Sequence, residues 1–211
     1  METKVEKLDQ TALEIVKGAS ELFMRYGLKS VTMDDIARHL SISKKTIYQH
    51  FADKDELVNT FTVVVLNDQK TECLGIEQAH ENVIKGLHGM SEFMRMKVCN
   101  INSSLLFDLK KYFPQAWKVF TEYKRGFLKD HLKRWLTKGI EQGYFRKEID
   151  VEVLCRMRIE QVELAFNSDV FPPNDFNIGE VHMQFFFHFV LGLCTREGHE
   201  EFYKIFQIVE G

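Results

Sequence analysis

Along the first sixty residues, apolar side chains return at helical intervals between capping residues. Ile15, Ala19, Leu22, Phe23 and Tyr26 follow one another at steps of four, three, one and three. That is the single stripe an amphipathic helix buries, and Gly27 supplies a left-handed stop after it. Thr11-Ala-Leu-Glu14 has the form of a capping box and predicts the start of this helix. Thr32-Met-Asp-Asp35 repeats the capping logic for a second, two-turn helix with Ile36, Ala37 and Leu40 on its apolar side. Ser41-Ile42-Ser43 then interrupts, and Ser43 caps a third helix. Spacing turns Ile47, Tyr48 and Phe51 of that helix inward and leaves Lys44 and Lys45 outside. Asp53-Lys-Asp-Glu56 opens a long fourth helix through Leu57, Phe61, Val64 and Val65. Two short helices joined by a tight turn make a helix-turn-helix.

Beyond the fourth helix the 3.6-residue period continues. It predicts helical segments at 61–79, 83–99, 103–111, 114–142, 151–167 and 178–196, with a last one from about His199. Pro114 suits a first helical turn and Gly143 a helix end. Between them Trp117, Phe120, Tyr123, Phe127, Leu132, Trp135, Leu136 and Ile140 form one stripe with a basic, solvated opposite face. No alternating strand pattern competes. The fold class is therefore all-α, with a three-helix helix-turn-helix domain over residues 1–58 and a helical bundle over residues 59–211. In the segment 178–196 apolar residues occupy several faces at once: Val181, Phe185 and Phe189 on one, and Met183, Phe186, Phe187 and Val190 around the rest. A helix apolar all round must be buried all round, so Met183, Phe186, Phe187 and Val190 are expected at a twofold dimer interface.

Composition changes this picture little. A chain of 211 residues with 45% apolar and 28% charged residues is ordinary for a globular protein. The net charge of −3 argues against an unspecific nucleic-acid coat, yet Arg38 to Lys54 carries four cations against the single acid Asp53. No apolar leader opens METKVEKLDQ, and the longest apolar run, Phe185 to Cys194, is too short for a bilayer. A cytoplasmic protein with no membrane partner is expected. Cys73, Cys99, Cys155 and Cys194 are widely spaced and read as reduced core thiols.

Catalytic signatures such as a phosphate loop, a GxSxG elbow or an HExxH helix are absent, so no enzyme and no cofactor are expected. His182, His188 and Cys194 fall at steps of six, which puts successive side chains on opposite helix faces, so no metal site is expected. Phe93, Met96, Phe107, Trp117, Phe120, Tyr123, Met157 and Gln161 have the composition of an apolar ligand pocket, which is equally the composition of a core.

The stretch from Thr11 to Val58, with ELFxxxG at Glu21 to Gly27, VTMDDIA at Val31 to Ala37 and TIYxHFxxKxxL at Thr46 to Leu57, resembles the DNA-binding domain of the tetracycline-repressor (TetR) family of bacterial transcription regulators. Ser41 departs from the pattern, since the family usually has Gly in that turn. The resemblance implies that the third helix enters the major groove with Lys44, Lys45 and Tyr48 exposed. It also implies that Thr32, Thr46, His50 and Lys54 serve the phosphate backbone. Long donors suit the O6 and N7 acceptors of guanine, and hydroxyls, histidine and lysine suit phosphate oxygens. The implied function is a homodimeric repressor of a palindromic double-stranded operator, released by a small apolar or amphipathic inducer. The rival from another class is a helical lipid-binding or partner-binding protein that does not bind DNA.

Overall fold

A computed structural model describes residues 8–98 and 101–207 of the chain. Eleven α-helices run through these residues: α1 (Gln10–Tyr26), α2 (Met33–His39), α3 (Lys44–His50), α4 (Lys54–Ala79), α5 (Val83–Val98), α6 (Leu105–Tyr112), α7 (Pro114–Tyr123), α8 (Lys129–Glu141), α9 (Val151–Ala165), α10 (Ile178–Leu193) and α11 (Arg196–Phe206). A π-helical turn, Lys124–Leu128, joins α7 to α8, so the long segment expected from Pro114 onward is continuous but locally widened.

The chain forms two compact units, Met1–Gln69 with Asn100–Tyr123, and Lys70–Cys99 with Lys124–Gly211. Packing thus interleaves the sequence instead of cutting it once near residue 58. The physical reason is the apolar side of α6 and α7. Leu105, Leu109, Phe113, Ala116, Val119 and Phe120 are buried in the same cluster as Phe23, Ile36 and Ile47 of the first three helices and Phe51 just after them. At its centre Phe23 meets Phe61 edge to face, ring centroids 5.3 Å apart.

The carboxy-terminal unit has its own core around Trp135, Leu136, Phe145, Cys155, Phe186, Phe189 and Phe202. Gly139 lets Phe145 pack flat on α8, since a Cβ there would stand 2.0 Å from the Phe145 ring. Thr195 accepts from Gly198 N–H at 3.1 Å and starts α11, so the segment expected to reach residue 196 stops at Leu193. Cys73, Cys155 and Cys194 are buried free thiols, and Cys99 lies outside the described residues. Burial pushes the Cys73 thiol up to about 11 and that of Cys194 up to about 12, so both stay protonated and unreactive. Among the described residues, no helix is long and apolar enough to cross a membrane, and no group of His, Cys, Asp and Glu is placed to hold a metal ion.

Candidate nucleic-acid interface

The helix-turn-helix is built from caps. Thr32 accepts from Asp35 N–H at 3.2 Å, while the Asp35 carboxylate accepts from Thr32 N–H at 2.9 Å and from its hydroxyl at 2.6 Å. These bonds hold the Asp35 carboxyl below the usual carboxylate range. Ser43 accepts from Thr46 N–H at 3.0 Å and starts α3. Ahead of α1 the cap is Asp9, which accepts from Ala12 N–H at 2.8 Å, in place of the expected Thr11. Asp has the same short oxygen reach and begins the helix two residues earlier. Asp53 caps α4 through Glu56 N–H at 2.8 Å, and Glu56 reaches back to Ala52 N–H at 2.8 Å.

Between α2 and α3 the chain turns at Ser41, which has φ +56°. Ile42 N–H returns to Ala37 C=O at 3.0 Å and Ser41 N–H to Arg38 C=O at 3.2 Å, closing α2 around a left-handed residue. Glycine would adopt this conformation without strain. Serine holds it at a cost of about 1–2 kcal/mol because its Cβ crowds the following carbonyl.

α3 buries Ile47, which anchors the helix in the amino-terminal core. Tyr48 is 46% exposed, so it belongs to the outer face with Lys44 and Lys45, as the family resemblance implies and the apolar spacing alone did not. Positions 44, 45, 48 and 49 lie on one side of the helix. Gln49 is also exposed on this face and was missed; a polar residue one position after Tyr48 on a basic helix was the available signal. Lys44 Nζ pairs with Asp34 at 2.9 Å, which pushes its pKa up. Lys45 and Gln49 make no hydrogen bond or ion pair within the described residues.

The remaining candidates are engaged in different ways. Thr46 Oγ1 shares a hydrogen with Ser43 Oγ at 2.8 Å, and His50 Nδ1 stands 3.5 Å from Asp9. Thr32 is exposed but spends its hydroxyl on Asp35. Lys54 is half-buried: its ammonium donates to Lys29 C=O at 3.2 Å and lies over the Phe113 ring, and burial pushes its pKa down.

The candidate pocket residues separate. Phe107, Trp117, Phe120 and Tyr123 belong to the amino-terminal unit, while Phe93, Met96, Met157 and Gln161 belong to the carboxy-terminal one. Met96, Phe107 and Met157 are exposed, because the apolar stripes of their helices point elsewhere. The residues expected at a dimer interface require a correction. Met183, Phe186 and Val190 are buried in the core of their own unit, and Phe187 packs against Phe202 and Phe206. α11 folds back and covers a face of α10 that the sequence left without a partner. The outward residues of α10 are Glu180, Gln184, His188 and Gly192.

The geometry defines a helix-turn-helix DNA-binding protein. The family model for bacterial regulatory proteins of the tetR family matches residues 15–60. Over that stretch the chain carries a DNA-binding domain of the TetR-family type, and the proteins it is similar to are transcription regulators. It is 25% identical over 150 residues to the HTH-type transcriptional repressor KstR2 of Mycobacterium tuberculosis, covering 68% of this chain and 73% of that protein. The solved structure of this ketosteroid transcriptional regulator matches with TM-score 0.61 at 20% identity, over 90% of this chain and 98% of that one. The fatty acid degradation regulator FadR of Bacillus halodurans matches with TM-score 0.67 at 16% identity, over 87% and 96%.

Proposed function

We propose that this regulator is a homodimeric repressor that reads a palindromic operator through the outer face of α3 and releases it when a small apolar or amphipathic molecule binds the helical region beyond residue 58. The observation that carries the reading is the outward row Lys45, Tyr48 and Gln49 on a helix fixed from behind by Ile47. Lys45 and Gln49 offer donors to base edges, guanine for the lysine and adenine for the amide, and Tyr48 offers a ring edge and a hydroxyl. Lys44, Thr32, Thr46, His50 and Lys54 serve as phosphate contacts, with Lys44 exchanging Asp34 for a phosphate. A repressor role, and an apolar inducer, are favoured by the similarity to KstR2 and to a regulator of fatty acid degradation.

The second copy is assigned to the exposed stripe Val153, Met157 and Leu164 of α9, which recurs on one side of that helix. A charge at its centre, Met157→Glu, is expected to yield monomers in sedimentation and to weaken operator binding. Unchanged dimers would move the interface elsewhere.

The operator test uses a duplex selected from random sequence. Lys45→Ala and Tyr48→Ala are each expected to lose about 1–3 kcal/mol of affinity with the fold intact. The logarithm of affinity should fall with the logarithm of salt at about 0.9 per phosphate neutralised. Full affinity in both variants would remove α3 from the interface.

A further inference from the structure

α9 and α10 bury a cation to which they give no counter-ion. Arg158 is only 8% exposed, and its guanidinium carbon lies 5.9 Å from the ring centre of Phe186 and 5.8 Å from that of Phe189. A guanidinium has five N–H donors. The hydrogen bond it makes here runs from Nη1 to Gln161 Oε1 at 3.2 Å. No carboxylate pairs with it among the described residues. The acids nearest in sequence, Glu160 and Glu163, are turned to the buried ammonium of Lys124 instead.

His182 stands one helical turn before Phe186. It is 2% exposed, sits edge-on to Phe166 at 5.3 Å, and neither ring nitrogen has a hydrogen-bond partner. Burial pulls the Arg158 pKa down to about 10, and burial together with the Arg158 charge pulls that of His182 down to about 4. The imidazole is therefore neutral, with an N–H and a lone pair both unspent. A cation among phenyl rings without an anion does not serve stability, since an apolar side chain of similar volume would do better. Unpaired buried donors of this kind mark places where a ligand completes the set.

We propose that Arg158, Gln161 and His182 form an anion site that takes the carboxylate head of an otherwise apolar ligand, with the body of the ligand against the Phe166, Phe186 and Phe189 rings. This deepens the inducer reading above and rests on it for the consequence at the operator. A carboxylate fits better than a phosphate ester: its two coplanar oxygens match the guanidinium fork, and its single charge balances a single cation beside a neutral imidazole.

The test uses the full-length protein and two matched pairs, hexadecanoic acid with its methyl ester and cholic acid with its methyl ester, titrated calorimetrically at neutral pH. Wild-type protein is expected to bind the acid of at least one pair on the order of tenfold or more tightly than the ester, the usual worth of a charge-assisted hydrogen bond. Arg158→Met should erase that difference and leave ester affinity within about twofold, and Arg158→Lys, which keeps the charge and loses the fork, should restore part of it. Without any probe, Arg158→Met should melt at or above the wild-type temperature. Equal binding of acid and ester by the wild type, no binding of either pair, or an acid preference that survives Arg158→Met overturns the proposal. So does a loss of dimers in Arg158→Met, which would make a carboxylate of the second copy the missing counter-ion. If the acid is preferred and operator affinity does not change, the anion site stands and the inducer reading falls.

Discussion

The two compact units differ in the charge they bury and in how completely they pair it. In the amino-terminal unit, the buried acid Asp108 accepts from Lys29 N–H at 2.9 Å and Thr60 and Thr62 return their hydroxyls to α4 carbonyls, leaving Asn59 Oδ1 as a buried atom with no partner. The carboxy-terminal unit buries Lys124, His131, Arg158 and His182. His131 is held in a network: Trp135 Nε1–H donates to its Nε2 at 3.0 Å, so its Nδ1–H is left to donate to Glu77, also at 3.0 Å. Arg158 and His182 are left incomplete. A reading head must present one geometry and so satisfies its buried charge internally, with one amide oxygen left over, whereas the proposed anion site would receive its partner with the ligand.

Breaking the head should have the largest effect. Phe23 is fully buried, and Phe23→Ala is expected to cost about 3–5 kcal/mol through lost burial and the cavity left against Phe61. Chemical denaturation would read this as a lower midpoint, with operator binding lost at ordinary temperature. An effect under 1 kcal/mol would show that the head is looser than its packing.

His182 sharpens the comparison through pH. Its folded pKa lies near 4, below the ordinary value of 6.5, so the unfolded chain binds the extra proton between those values. Stability is fully present above pH 6.5 and is lost as pH falls toward 4, by about 3 kcal/mol in all at 1.36 kcal/mol per pH unit. His182→Leu should remove that part of the acid loss. Parallel melting-temperature profiles of the two proteins from pH 7 to pH 4 would show that burial of the imidazole is not felt.

The smallest expected effect is at the turn. Ser41→Gly should relieve left-handed strain and, after the added flexibility of the unfolded chain, stabilise the protein by about 1 kcal/mol without altering operator preference. Destabilisation would mean that Ser41 does more than occupy the turn.

What the sequence determined by itself is local. The stripe from Ile15 to Tyr26, the caps Thr32, Ser43 and Asp53, and the stop at Gly27 each depend on residues within one or two turns, so spacing alone disclosed the helix-turn-helix and the face bearing Lys44 and Lys45. The all-helical class followed from the same periodicity. Tertiary structure decided what covers what. The sequence showed that α10 is apolar all round, but only the folded chain shows Phe187 meeting Phe202 and Phe206 of α11, and Met183, Phe186 and Val190 buried in the core of their own unit. Pairing was equally hidden. Two acids lie within five residues of Arg158, and both serve Lys124, which is more than thirty residues away in the chain. A cation's partner is fixed by which helices pack together, and periodicity along one helix carries no information about its neighbour.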